Sequence, residues 1–202
     1  MTLSPSALDG LTVFLDELTR WNARINLTGL KSRERIIHEL LLDCFVPVPF
    51  LPKNGTLLDV GAGAGFPGLV LKICNPSLSV SLLEPNGKKA TFLRHVIRLC
   101  GLGQIQVIQA RAESGTGMLA SEGYHVVTAR ALAGLEEALR LCVPWVRREG
   151  LLVSFQGADA AARLEACRPL IDASGLVLFK NLAYPVPGKP EKRQVLLFRR
   201  PA

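Results

Sequence analysis

Four groups of residues in this chain have the types and spacing to do chemistry. The first is the segment 56–68, Thr-Leu-Leu-Asp-Val-Gly-Ala-Gly-Ala-Gly-Phe-Pro-Gly, where an apolar run reaches Asp59 and enters a turn with glycines at 61, 63 and 65. Such a turn lets the backbone of an α/β fold approach a nucleotide-like cofactor, and Pro67 is placed to open a helix behind it. The residue types discriminate between cofactors. A dinucleotide fingerprint, G-x-G-x-x-G, needs glycine where this chain has Phe66. Asp59 would also be unwelcome beside a diphosphate. S-adenosylmethionine has no phosphate and carries a sulfonium and an ammonium, so an acidic approach suits it. Phe66 packs either on that cofactor or on the helix supporting it.

The other three groups fall where strand-like runs end, which is where open α/β sheets bind their ligands. Glu84 follows Gly65 by 19 residues, the spacing at which a carboxylate accepts hydrogen bonds from two vicinal ribose hydroxyls. In Gln109-Ala110-Arg111-Ala112-Glu113, the Ala112 amide and the Glu113 side chain can read an adenine edge, with N1 accepting and N6 donating. The plainer role for Glu113 is capping a short helix. Arg130 ends the run Val126-Val127-Thr128-Ala129 and can hold the cofactor's carboxylate, or a substrate phosphate, through a two-point fork. No catalytic acid, base or nucleophile stands out. His38, His95 and His125 are scattered, without the grouping of a metal site or a triad. Cysteines 44, 74, 100, 142 and 167 are odd in number and lack C-x-x-C spacing, so they read as reduced thiols of a cytoplasmic protein.

The elements that must position these groups follow from periodicity. Leu11, Phe14, Leu15, Leu18, Trp21 and Ile25 recur at three- and four-residue steps, which predicts a helix with Asp9 as its N-cap. A second helix spans 34–45 and stops at an extended Pro47-Val48-Pro49. Strand-like runs at 56–60, 80–84, 105–109, 126–129 and 151–155 then alternate with helical stretches at 68–74, 88–100, 132–146 and 158–174. Alternation at this spacing predicts a parallel sheet with helices on both faces. Two final runs, 176–182 and 194–199, are joined by a loop rich in Pro, Gly and Lys and read as an antiparallel pair. The expected fold is α/β: a seven-stranded, mostly parallel, Rossmann-like sheet with a terminal antiparallel hairpin, of the class I S-adenosylmethionine-dependent methyltransferase type. A helical N-terminal extension (1–50) precedes the core (55–202) in one domain of 202 residues.

Composition sets outer limits. A hydrophobic content of 49% excludes a largely disordered chain, and the sequence has neither an apolar run long enough to span a membrane nor a signal-peptide layout at its start. The formal charge of +7 is clustered: Lys31, Arg33 and Arg35; Lys88, Lys89, Arg94 and Arg98; Lys189, Lys192 and Arg193. Three such clusters around one cleft point to a polyanion, and without an aromatic-rich single-strand motif its recognition rests on phosphates and shape.

Taken together, the chain resembles the bacterial small-subunit rRNA methyltransferases that modify guanine N7, the RsmG or glucose-inhibited division protein B family. The resemblance rests on Trp21-Asn22 with Asn26-Leu27-Thr28, on the whole segment 58–68, on Lys88-Lys89 with Phe92-Leu93, on Arg111-Ala112-Glu113, and on Arg130-Ala131. It implies S-adenosylmethionine as cofactor, with Gly61, Phe66, Ala112, Glu113 and Arg130 as contacts. It also implies a guanine in the decoding-region loop of 16S rRNA as substrate. Three positions depart from the family pattern: Leu40 where a His is frequent, His125 in place of an Asp, and Gln156-Gly157 in place of Lys-Gly. The rival readings are a methyltransferase for a small molecule or protein, a non-catalytic RNA-binding assembly factor, and a nicotinamide oxidoreductase. No metal is expected, and a monomer is the default state.

Overall fold

The computed structural model describes residues 2–113 and 119–202. Helix α1 (Pro5–Ile25) begins earlier than the apolar stripe predicts. Its N-cap is Ser4, whose Oγ accepts the Ala7 amide at 3.1 Å, and Pro5 occupies the first turn, so Asp9 lies inside the helix and caps nothing. Leu11, Phe14, Leu15 and Leu18 form its buried stripe. The helix ends at Asn26 in a left-handed conformation (φ 42°). Helix α2 (Arg33–Ile36) widens into a π turn over Ile37–Leu41 and tightens into a 3-10 turn over Leu42–Phe45. Pro47-Val48-Pro49 is not extended. Val48–Phe50 forms another 3-10 turn, with the Phe50 amide donating to the Pro47 carbonyl at 2.9 Å.

Strand and helix then alternate as β1 (Gly55–Val60), α3 (Gly68–Cys74), β2 (Leu78–Leu83), α4 (Gly87–Leu99), β3 (Ile105–Ile108), β4 (Tyr124–Ala129), α5 (Leu135–Cys142), β5 (Val146–Gln156), α6 (Ala160–Ala166), α7 (Arg168–Ser174), β6 (Val177–Tyr184) and β7 (Arg193–Arg199). The seven strands form one sheet in the order β3-β2-β1-β4-β5-β7-β6. The first five are parallel, and β7 runs antiparallel between β5 and β6. This is the reversed terminal hairpin that the sequence predicts.

The larger departures from the periodic pattern fall at proline. Pro144 ends the regular helix: α5 gives way to a 3-10 turn over Val143–Trp145, and β5 starts at Val146 rather than 151. The stretch 158–174 is two helices, broken at Cys167 with Pro169 in the first turn of the second.

Period-two alternation divides the core. Leu57 packs with Phe14, Leu69, Phe92 and Val80 beneath α1, α3 and α4, while its neighbour Leu58 packs with Leu139, Leu152 and Phe198 on the side of α5 to α7. All five cysteines are free thiols, and Cys44, Cys142 and Cys167 are buried. Among the described residues no helix is long and apolar enough to cross a membrane.

Candidate cofactor site

The carboxyl ends of β1, β2 and β4 meet at an open cleft of about 510 Å³. Its floor is the glycine turn. After Val60 the chain makes a tight bend in which the Gly61 and Ala62 amides both donate to the Leu83 carbonyl, at 2.9 and 3.0 Å. The bend requires φ of 72°, 56° and 102° at Gly61, Gly63 and Gly65, a region that side-chain-bearing residues enter only with strain. At the far end of the turn, a Cβ on Gly68 would lie 2.7 Å from the Asp59 Cβ and 2.6 Å from Leu82 Cδ2. Only glycine lets α3 start this close to the sheet.

Asp59 lies under this turn rather than in the cleft. It is buried, with Oδ2 accepting the Gly68 amide at 2.8 Å and Oδ1 accepting the Thr128 hydroxyl at 2.6 Å. Burial pushes its pKa up to about 6, against the lowering effect of those two hydrogen bonds. Its carboxylate ties the start of α3 to β1 and β4. Gly61, Gly63, Phe66, Glu84 and Arg130 do line the cleft; Gly65 sits behind it, against Leu69.

Glu84 is held in place from both sides. Its Oε2 accepts the Gly63 amide at 2.8 Å and its Oε1 the Asn86 amide at 2.8 Å, so the carboxylate bridges the glycine turn and the N-cap of α4. Each oxygen keeps a further lone pair for a diol. Phe66 is mostly buried, tilted against Phe14 at 5.2 Å between ring centroids, and presents its remaining surface to the cleft. The packing role foreseen for it is met through Phe14 of α1.

Ala112 and Glu113 line a smaller hollow of about 120 Å³ that shares Gly61, Pro85 and Leu132 with the main cleft. Glu113 is exposed and lies 3.8 Å from Arg140, a loose pairing that leaves its carboxylate accessible.

Arg130 has a more structured environment than its sequence position suggests. Its Nη1 donates to the Leu40 carbonyl at 3.0 Å, and its Nη2 to the Glu39 carbonyl at 2.5 Å and to Asp43 Oδ2 at 2.7 Å. Arg193, at the start of β7, converges on the same Asp43 oxygen at 2.6 Å and on the Glu39 carbonyl at 2.5 Å. Arg35 and Lys189 reach the Glu39 carboxylate at 2.7 and 3.5 Å, holding its pKa below the usual carboxylate range. This buried cluster pins the wide turn of 37–45 against the sheet beside the cleft.

Sequence reasoning missed Glu39, Asp43 and Arg193 as parts of one site. The only signal was an acid, Asp43, inside the apolar run Leu41-Leu42-Asp43-Cys44-Phe45. It also gave no role to Asn22. Asn22 Oδ1 accepts the Leu27 and Thr28 amides at 2.6 and 3.0 Å, and its Nδ2 donates to the Leu30 carbonyl at 2.6 Å. The side chain thereby shapes the loop 26–29 that forms one wall of the cleft. Another hollow, of about 590 Å³, lies at the opposite ends of β1 and β4 around His125 and Arg147, away from every group above. His125 and His95 are engaged elsewhere, with Thr56 and with Glu17. Among the described residues no cluster suits a metal ion.

Sheet order, reversed last strand and glycine-turn cleft define a class I S-adenosylmethionine-dependent methyltransferase. The fold is shared with TYW2 of M. jannaschii, solved in complex with AdoMet: TM-score 0.59 at 13% identity, covering 79% of this chain and 72% of that one. Sequence similarity is more specific. The family model described as "GidB: rRNA small subunit methyltransferase G" matches residues 8–184, and the chain belongs to that family. Relatives named "Ribosomal RNA small subunit methyltransferase G" include that of Syntrophotalea carbinolica, 34% identical over 203 residues, which cover 100% of this chain and 93% of the relative. That of Roseiflexus sp. is 38% identical over 185 residues, covering 90% and 78%.

Proposed function

We propose that this protein transfers the methyl group of S-adenosylmethionine to N7 of a guanine in the decoding-region loop of 16S rRNA. The observation that carries the reading is the cleft itself. Glu84 is fixed between the glycine turn and α4, the hollow at Ala112 and Glu113 adjoins it, and this arrangement sits in a chain of the GidB family.

The cofactor supplies an electrophilic methyl on a sulfonium. Glu84 would accept from its ribose hydroxyls, the Ala112 amide and Glu113 would address the adenine, and Arg130, whose Nη groups already donate to Leu40, Glu39 and Asp43, would supply positive charge near its carboxylate. Gly61 and Gly63 allow close approach of the backbone, and Phe66 packs along it. Asp59 and Gly65 act one layer below, by fixing the turn. Guanine N7 offers a lone pair and has no proton to lose, so the reaction needs no general base. Among the described residues that line the cleft there is no histidine. Catalysis then lies in alignment, worth up to roughly 7–11 kcal/mol for well-oriented reactants, with the guanine splayed from its loop to reach the methyl group.

The clustered positive charge supports an RNA substrate over a small molecule or a protein. The test is complementation. Expressing the chain in a bacterium deleted for its own enzyme should restore one N7-methylguanosine in 16S rRNA, seen as a borohydride- and aniline-induced break at one position. An unmodified 16S rRNA despite soluble expression would refute the reading.

A further inference from the structure

Beyond the cofactor cleft, α1 and α4 enclose a second cavity, of about 440 Å³, lined by Arg20, Trp21, Arg24, Ile25 and His95. Its aromatic wall is preassembled. The Trp21 ring is braced by Phe92 at 5.6 Å and by His95 at 5.2 Å between centroids. Glu17 sits behind, pairing with Arg20 at 2.5 Å and with His95 Nε2 at 2.8 Å, which fixes both side chains. Arg24 is exposed and has no ion-pair partner among the described residues. A half-buried tryptophan between two arginines suits a ligand with a flat face and a negative charge.

Among the described residues the cavity and the cleft share no lining residue, but the end of α1 and helix α4 border both. Arg24 and Ile25 lie immediately before Asn26, which lines the cleft. Lys89, which lines the cleft, and His95, which lines the cavity, are both on α4, about 9 Å apart along the helix axis and about a third of a turn apart around it. About three stacked nucleotides of a single strand cover that axial distance, at about 3.4 Å each. Nothing in the methyl-transfer chemistry uses these residues.

We propose that this cavity is a nucleotide subsite: it takes the base of a residue flanking the methyl-accepting guanine, stacked on Trp21, with the phosphate on Arg24 and Arg20. Anchoring the neighbour holds the splayed guanine in the cleft. The proposal rests on the RNA reading above and adds a place where sequence-tolerant stacking complements phosphate contacts.

The test uses W145F, which leaves Trp21 as the only tryptophan, and an RNA hairpin carrying the decoding-region loop. Binding should quench Trp21 fluorescence. Replacing one nucleotide within three of the target guanine by an abasic residue should abolish the quenching and weaken binding about fivefold to tenfold. R24Q should weaken binding by a similar factor without changing affinity for S-adenosylmethionine. W21F, which keeps an aromatic ring in the packing, should raise the KM for RNA more than it lowers kcat. Unquenched fluorescence in the bound state, or abasic and R24Q affinities equal to the parent's, would overturn the subsite. Quenching by the hairpin in a protein that fails to methylate guanine in small ribosomal subunits would instead contradict the proposed function and leave the subsite standing.

Discussion

Glu84 is a scaffold residue at the cleft, and the proposed function also makes it a cofactor ligand. Two backbone amides on its carboxylate hold the glycine turn to α4, so truncation has two separable consequences. Glu84→Ala should lose roughly 1–3 kcal/mol of stability, from stranded amides, and should raise the Kd for S-adenosylmethionine at least about tenfold. Thermal unfolding and calorimetry measure the two effects. Glu84→Gln keeps one carbonyl acceptor and should recover part of both. Asp59 makes a different prediction. Burial raises its folded pKa to about 6 from an ordinary 3.8, so between those values the folded state binds more protons than the unfolded one. Its contribution to stability is therefore greatest below about pH 4, declines as pH rises to about 6, and is flat above. Asp59→Asn can keep both bonds, accepting from the Gly68 amide and donating to Thr128. In urea titrations, the stability of wild type minus that of the variant should fall between pH 4 and 6. A constant difference would mean that Asp59 titrates normally. Sequence alone gave the positions of these acids, yet it could not separate Glu84, at the cleft surface, from Asp59, one layer beneath it. That distinction depends on which face of a strand end the turn covers.

At the scale of elements, the cleft is as well made as the segments around it. The loop after α1 is held by three bonds from Asn22, and the wide turn of 37–45 by the Asp43 cluster. Asn22→Ala should release the loop wall. We expect a severalfold higher KM for S-adenosylmethionine with a loss of only about 1–2 kcal/mol in global stability, because the loop's Leu27 remains buried. Gly68→Ala acts on the opposite side. The added methyl would overlap Asp59 and Leu82, so α3 must move off the sheet, at a cost of about 1–3 kcal/mol read from the unfolding midpoint. Strands and their order were legible because buried parallel strands are short apolar runs between turn signals. Helix limits were less so. Ser4-Pro5 outranked Asp9, and Pro144 and Pro169 broke stretches whose apolar periodicity ran straight through them. The Asp43 cluster joins residues about 150 positions apart, and no local pattern encodes such a pairing.

For the whole molecule, the +7 charge and its clustering should appear as salt dependence of RNA binding but not of cofactor binding. If three or four phosphates are neutralised, affinity for RNA should fall about 20- to 150-fold between about 50 and 200 mM salt. Affinity for S-adenosylmethionine should change little over the same range. A small-molecule methyltransferase would show no such steep term. Fold alone could not have made this distinction, since similar sheets carry many chemistries. The glycine turn, Glu84 and the family likeness narrow it to one. The most direct measurement is methyl transfer by the purified protein from methyl-tritiated S-adenosylmethionine to unmethylated small ribosomal subunits, followed by digestion and nucleoside analysis. The account predicts label in N7-methylguanosine from a single 16S position. Label in another nucleoside, or none from a protein that binds the cofactor, would contradict it.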